Sequence, residues 1–196
     1  MEADHMNRLY RSRNPLVRFV HVGRLRIIGR LLRNNRGRLL DCGCGEGHLL
    51  HELSGERYGI DCCRVALRQA KERSQETELL QGDITQLPFR SGSFDVAICS
   101  EVLEHISDCR TAISELMRVT RSGGRIVVTA PNERNWRIAR LAMLRFPIKL
   151  KDHLNSFSPS ELTEMFGLKP TRAVYFPINV FSFSLTQVYE FEKRDK

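Results

Sequence analysis

Short apolar runs alternating with amphipathic helical stretches constrain this chain more than any other feature. The runs RLLDC (38–42), RYGID (57–61), ELLQG (78–82), FDVAICS (94–100) and RIVVTA (125–130) read as strands, and 48–54, 64–75 and 109–120 read as helices among them. Strands joined through helices run parallel, because a tight hairpin can join only antiparallel neighbours. The expected fold is therefore α/β, a parallel sheet with helices on both faces and with ligands meeting the carboxyl ends of the strands. A helix is expected over 15–34, ahead of the sheet. Beyond residue 130 the pattern changes to a basic segment reaching about Lys151, then a helix over 158–166 opened by Ser158-Pro159 with Glu161 in its first turn. Two β-rich runs follow, at 170–176 and 183–192, and are expected to pair as an antiparallel edge.

Between the first strand and its helix stands LLDCGCGEGH, with Gly43, Gly45 and Gly47 at every second position. Glycine reaches positive φ and allows another molecule close to the backbone, so the cluster marks a tight turn or a ligand cradle. A dinucleotide fold would want G-x-G-x-x-G, but His48 holds the place of the third glycine, which weakens a pyrophosphate reading. Asp61, 20 residues after Asp41, ends the second strand, where a carboxylate can accept both hydroxyls of a ribose. An adenosine ligand without phosphates satisfies both facts.

A chain of 196 residues fits one compact domain. No apolar stretch has the length of a membrane span and arginines interrupt the N-terminal region, so a cytoplasmic protein is expected. The net charge of +8 is unevenly spread. Residues 1–38 hold ten arginines against two acids and residues 134–151 hold six basic residues and no acid, so these segments carry +14 and the rest −6. Six cysteines lie on or beside apolar runs, poor placement for a disulfide framework. Cys42-x-Cys44 and Cys62-Cys63 could approach one another, but structural zinc prefers C-x2–4-C pairs, and no metal is expected.

These motifs together resemble the class I S-adenosylmethionine-dependent methyltransferases, especially the small enzymes related to quinone-biosynthesis methyltransferases. LLDCGCGEG is similar to their first motif, GID (59–61) to their ribose acid, GDITQLPF (82–89) to their adenine loop, and FDVAICSEVLEHI (94–106) to their fourth strand and following turn. SGGRIVVTAPN (122–132) and DHLNSFSPSEL (152–162) complete the series, which spans roughly 38–192. The resemblance implies a Rossmann-like, doubly wound, mostly parallel seven-stranded sheet with an antiparallel last strand. It divides the chain into an N-terminal helical lid (1–37), a cofactor-binding core (38–130), a substrate-cover insertion (131–157) and a C-terminal helix with β-hairpin (158–196). S-adenosylmethionine is the implied cofactor and S-adenosylhomocysteine its product. Gly43, Gly45 and Gly47 would approach its methionine and ribose portions, Asp61 would bind the ribose and Asp83 the adenine amino group. Cys62 and Ile84 would sandwich the adenine, Ser100 would offer backbone contacts to the methionine moiety, and Asp41 would order the glycine loop.

Methyl transfer from a sulfonium is an in-line displacement, and alignment alone can be worth about 7–11 kcal/mol. A base is needed only where the acceptor is still protonated. His105 and His153 are the candidates, with surface or helix-capping roles as their alternatives. On the N-terminal helix, Leu16, Val17, Val20, Leu25, Ile27, Ile28, Leu31 and Leu32 share one half-turn with His21 and Arg24. Arg24 among these side chains needs an anion, either the methionine carboxylate of the cofactor or Glu46 or Glu101.

The acceptor is expected to be a small molecule methylated on oxygen or carbon. After the fourth strand stands Cys99-Ser100-Glu101-Val102 and not the Asn/Asp-Pro-Pro-aromatic stretch of nucleic-acid amino methyltransferases, so sequence-specific nucleic-acid chemistry is not expected. Residues 134–147 mix Trp136, Met143 and Phe146 with arginines, which suits an apolar or anionic acceptor, or peripheral contact with an anionic membrane, with a plain solvated lid helix as the alternative. A basic RNA-binding module and a non-catalytic cofactor-binding partner are the rival readings. The oligomeric state is left open.

Overall fold

A computed structural model describes residues 14–143 and 153–194. In chain order the elements are α1 (Pro15–Leu32), β1 (Arg38–Cys42), α2 (His48–Glu52), β2 (Glu56–Asp61), α3 (Arg64–Arg73), β3 (Glu78–Gln81), β4 (Phe94–Ser100), α4 (Cys109–Val119), β5 (Thr120–Pro131), α5 (Glu133–Ala142), α6 (Pro159–Phe166), β6 (Arg172–Phe176) and β7 (Thr186–Glu192). A 3-10 turn, Leu103–His105, follows β4.

The strands form a single seven-stranded sheet in the order β3-β2-β1-β4-β5-β7-β6. β1 to β5 are mutually parallel, and β7 runs antiparallel to both β5 and β6. The strand order reverses between β1 and β4, which opens a crevice at their carboxyl ends, the switch point at which such sheets take ligands.

Consecutive strand residues face opposite sides, so each internal strand feeds two cores. Leu40, Ala97, Val128 and Tyr189 join α4 and α6 through Ala112, Leu116, Leu162 and Phe166 on one face. Leu39, Val96, Val127 and Val188 join α1, α2 and α3 through Ile28, Leu32, Leu50 and Leu67 on the other. Each fully buried Leu, Ile or Val adds about 1.5–3 kcal/mol relative to exposure, which explains why these strands read as near-continuous apolar runs.

Asn14 opens α1, its Oδ1 accepting from the N–H groups of Leu16 (2.9 Å) and Val17 (3.3 Å), with Pro15 at the first helical position. The C-terminal half of α1 is thus part of the sheet's core. Its N-terminal half packs Val20 with Trp136 of α5 and Leu185. α5 itself was not delimited from sequence. Asn132 caps it, accepting from Asn135 N–H at 3.4 Å, and the Asn135 side chain donates to the carbonyls of Ser182 (3.0 Å) and Ser184 (2.7 Å). Phe146 of the expected acceptor-facing segment lies outside the described residues. No described helix is long and apolar enough to cross a membrane.

Candidate active site

The crevice at the switch point is lined by Arg24, Asp41, Gly43, Glu46, His48 and Ser100 among others. Its floor is the glycine loop. Gly43, Gly45 and Gly47 all have positive φ, at 79°, 51° and 72°, a conformation that costs a residue with a Cβ about 1–2 kcal/mol. Two of them are also hemmed in by protein. A Cβ on Gly43 would collide with the Val102 side chain, and one on Gly47 would stand 2.9 Å from Ala70 Cβ. Part of the reason for glycine here is therefore the close approach of the loop to the turn after β4 and to α3.

Asp61 anchors this loop as well as ending β2. Its carboxylate accepts from the N–H of Gly45 (2.8 Å) and the N–H of Cys63 (2.8 Å), which fixes the loop beside the second strand. Asp83 stands after β3 and accepts from Thr85 N–H at 2.8 Å. Cys62 is exposed at the end of β2, whereas Ile84 is buried with Leu87 and Phe94 in the core. Ser100 closes β4, its hydroxyl 3.0 Å from Thr129 Oγ1.

Asp41 is buried beneath the loop. Burial, with Asp61 adding to it and Arg24 opposing, pushes its carboxyl up to about 7. Burial likewise raises the thiols of Cys42, Cys44 and Cys99, so these behave as small protonated hydrophobes.

Arg24 is 1% exposed and reaches the cleft from α1. Its Nη1 lies 3.1 Å from Glu101 Oε2 and 3.0 Å from His21 Nδ1. Glu101 is thus one of the partners that the sequence left open for Arg24. Glu101 has φ 57°, among the described residues the one non-glycine position in the left-handed region. Its other oxygen accepts from the hydroxyls of Thr129 (3.2 Å) and Thr186 (3.2 Å). The pair with Arg24 was among those the sequence left open, but the strained backbone of Glu101 and its two threonine contacts were not foreseen. Their signal was the position directly after a buried strand.

The two candidate histidines meet. The His105 and His153 ring centroids are 4.8 Å apart with planes at 85°. They come from distant segments, and the backbone joins them. Leu154 and Asn155 donate their N–H groups to the Glu104 carbonyl (2.8 and 3.1 Å), and the Asn155 side chain donates to the Ile106 carbonyl at 2.7 Å. His153 Nδ1 lies 2.7 Å from Glu133 Oε1, and Arg140 Nη1 lies 3.4 Å from the other Glu133 oxygen. Burial alone would push Glu133 up, but His153 and Arg140 hold its carboxyl below the usual range.

Residues 40–128 match the methyltransferase-domain family. The chain is 30% identical to a probable S-adenosylmethionine-dependent methyltransferase of Mycolicibacterium smegmatis over 140 residues, 69% of this chain and 52% of that protein. It is 33% identical to a demethylmenaquinone methyltransferase of Beutenbergia cavernae over 102 residues, 50% of this chain and 42% of that one. The chain spans about half or less of the length of the curated relatives it matches. The solved magnesium protoporphyrin IX methyltransferase of Synechocystis, with bound S-adenosylhomocysteine, superposes with a TM-score of 0.74 at 19% identity, covering 97% of this chain and 93% of that one. At that identity the likeness concerns the fold.

The parallel sheet and the glycine loop at its switch point agree with these matches, in which residues 40–128 resemble a methyltransferase domain. Among the curated relatives that the chain resembles are proteins named as S-adenosylmethionine-dependent methyltransferases and a ubiquinone/menaquinone-biosynthesis C-methyltransferase of Bdellovibrio bacteriovorus. The cleft suits the cofactor of that class in one observable respect: a left-handed glycine loop, an arginine and a serine converge on open space at the ends of β1 and β4.

Proposed function

We propose that the chain transfers the methyl group of S-adenosylmethionine to a small hydroxyl- or carbon-acid acceptor, with the cofactor in the cleft over β1 and β4 and the acceptor toward His105 and His153. The observation that carries this reading is the meeting of those two imidazoles, brought from segments nearly fifty residues apart to one point beside the turn that follows β4. Gly43, Gly45, Gly47, Asp61, Cys62, Asp83, Ile84 and Ser100 are assigned to the cofactor, Asp41 to the loop beneath it, and Arg24 to the wall of the same cleft. The cofactor supplies an electrophilic methyl and its own leaving group. The acceptor's lone pair forms the new bond to carbon, the carbon–sulfur bond breaks, and its electron pair neutralises the sulfonium. The protein's share is alignment and removal of the acceptor's proton.

The exposed face of α5 supports an apolar or anionic acceptor, or one drawn from an anionic membrane surface. Ile138 is 60% and Leu141 54% exposed, alongside exposed Arg134 and Arg137. The deciding experiment incubates the protein with S-adenosylmethionine and a metabolite extract and seeks a product heavier by one methyl group. Cofactor binding without any such product would favour a non-catalytic partner protein.

A further inference from the structure

Among the described residues, one group of three side chains has the arrangement of a metal site, and it contains none of the cysteines. One ligand atom from each of Glu104, His105 and His153 lies within 4.8 Å of the others. Glu104 is 1% exposed, and its Oε2 is buried with no hydrogen-bond partner. A carboxylate oxygen left this way is costly, since it has given up water and gained nothing. A cation beside Oε2 removes that penalty.

The surroundings of His153 point the same way. With Nδ1 held by Glu133 at 2.7 Å, the natural tautomer places the proton on Nδ1 and leaves the Nε2 lone pair free to coordinate. A carboxylate holding the far nitrogen of a ligating imidazole is the usual outer support of a metal-binding histidine. Glu133 is itself fixed by Arg140. The 3-10 turn that carries Glu104 and His105 is tied to residues 154 and 155 by backbone hydrogen bonds, so the three ligands do not depend on loose loops for their proximity.

We propose that Glu104, His105 and His153 bind one divalent first-row metal ion that activates the oxygen of a hydroxyl-bearing acceptor. One carboxylate and two imidazoles suit zinc, iron(II), cobalt or manganese, and three protein ligands leave positions open, as in catalytic rather than structural sites. Resting on the methyl-transfer reading, the inference specifies how the two histidines act: as ligands, with the ion lowering the acceptor's pKa. The acceptor O–H then gives its proton to water, the oxygen lone pair bonds to the methyl carbon, and the carbon–sulfur electron pair leaves with sulfur.

The test uses the full chain, stripped with chelator and titrated with cobalt(II) alone, with no cofactor or acceptor present. One equivalent is expected to bind with visible d–d absorption, and Glu104→Gln and His153→Gln should each weaken it by at least about tenfold. Glu133→Gln, which removes only the outer support, should weaken it by about 10–100-fold. Binding of S-adenosylhomocysteine by calorimetry, in the same preparations, reports whether each variant is folded. Should buried Glu104→Gln fail that check, His153→Gln at the rim carries the comparison. Absence of cobalt binding, or equal binding by wild type and folded variants, overturns the site even if the homocysteine product binds. Cobalt binding by a chain that never binds the cofactor product upholds the ion site and overturns its role in methyl transfer.

Discussion

Arg24 of α1 and Glu101 of the turn after β4 form a 3.1 Å ion pair, with side chains 1% and 13% exposed, that ties the first helix to the mouth of the cleft. Removing one partner of such a pair leaves the other charged and desolvated, which costs about 3–5 kcal/mol. Arg24→Met, which keeps the length of the side chain, is expected to lower the melting temperature by many degrees. It should also weaken binding of S-adenosylhomocysteine, because the side chain lines that cleft. Unchanged stability would mean that the pair is energetically idle.

The left-handed backbone of Glu101 gives a separate handle. Glu101→Ala and Glu101→Gly both lose the Arg24 pair and both threonine contacts, but only glycine is at ease at φ 57°. The glycine variant should therefore be more stable than the alanine variant by about 1 kcal/mol, read from paired urea melts. The reverse order would show that the backbone there relaxes without penalty.

Asp61 accepts two backbone N–H groups as well as standing at the expected ribose position. Asp61→Ala should weaken calorimetric binding of S-adenosylhomocysteine by at least about 1.5 kcal/mol, the scale of hydrogen bonds lost to a charged group. It should also speed amide exchange at Gly45. Weakened binding with normal Gly45 exchange would separate a ligand role from the loop-anchoring one.

Asp41 makes the apo protein pH-sensitive. Its folded carboxyl titrates near 7, above the unfolded value of about 3.9. The folded state therefore holds the proton more tightly, and this contribution is complete below about pH 4 and lost as pH rises to about 7, at most about 4 kcal/mol in all. Asp41→Asn should accordingly raise the melting temperature at pH 8 and change it little at pH 4. An equal shift at both pH values would remove proton linkage as the cause.

The basic, partly apolar face of α5 predicts recruitment to charged lipid. Sedimentation should be stronger with anionic than with neutral vesicles and should fall as salt rises, since each basic residue near such a surface adds about 1 kcal/mol that salt screens. Equal sedimentation with both would reject membrane recruitment and leave a soluble acceptor.

The sheet was legible because both of its faces are covered. Leu39 and Leu40 feed opposite cores, so the strand appears as an unbroken apolar run. The glycine loop and Asp61 were legible because their spacing is itself a backbone requirement. α5 was harder to delimit, since only Glu133 and Trp136 of its residues are buried. Asn132 followed by Glu133, a cap residue before a first-turn acid, was the usable signal. Glu104 escaped notice because a glutamate next to a histidine is ordinarily taken for a solvated side chain, and only the fold shows that this one is sealed in. The link from Glu133 to His153 joins residues twenty apart through space and leaves no periodic trace.

The bond from Leu154 N–H to the Glu104 carbonyl uses nothing of the leucine beyond its amide, and the side chain is 60% exposed. Any residue other than proline could occupy position 154 and still present His153 to His105. Natural drift, or a saturation library at this single codon, can therefore reshape what lies next to the two imidazoles while the chassis that aligns them stays constant.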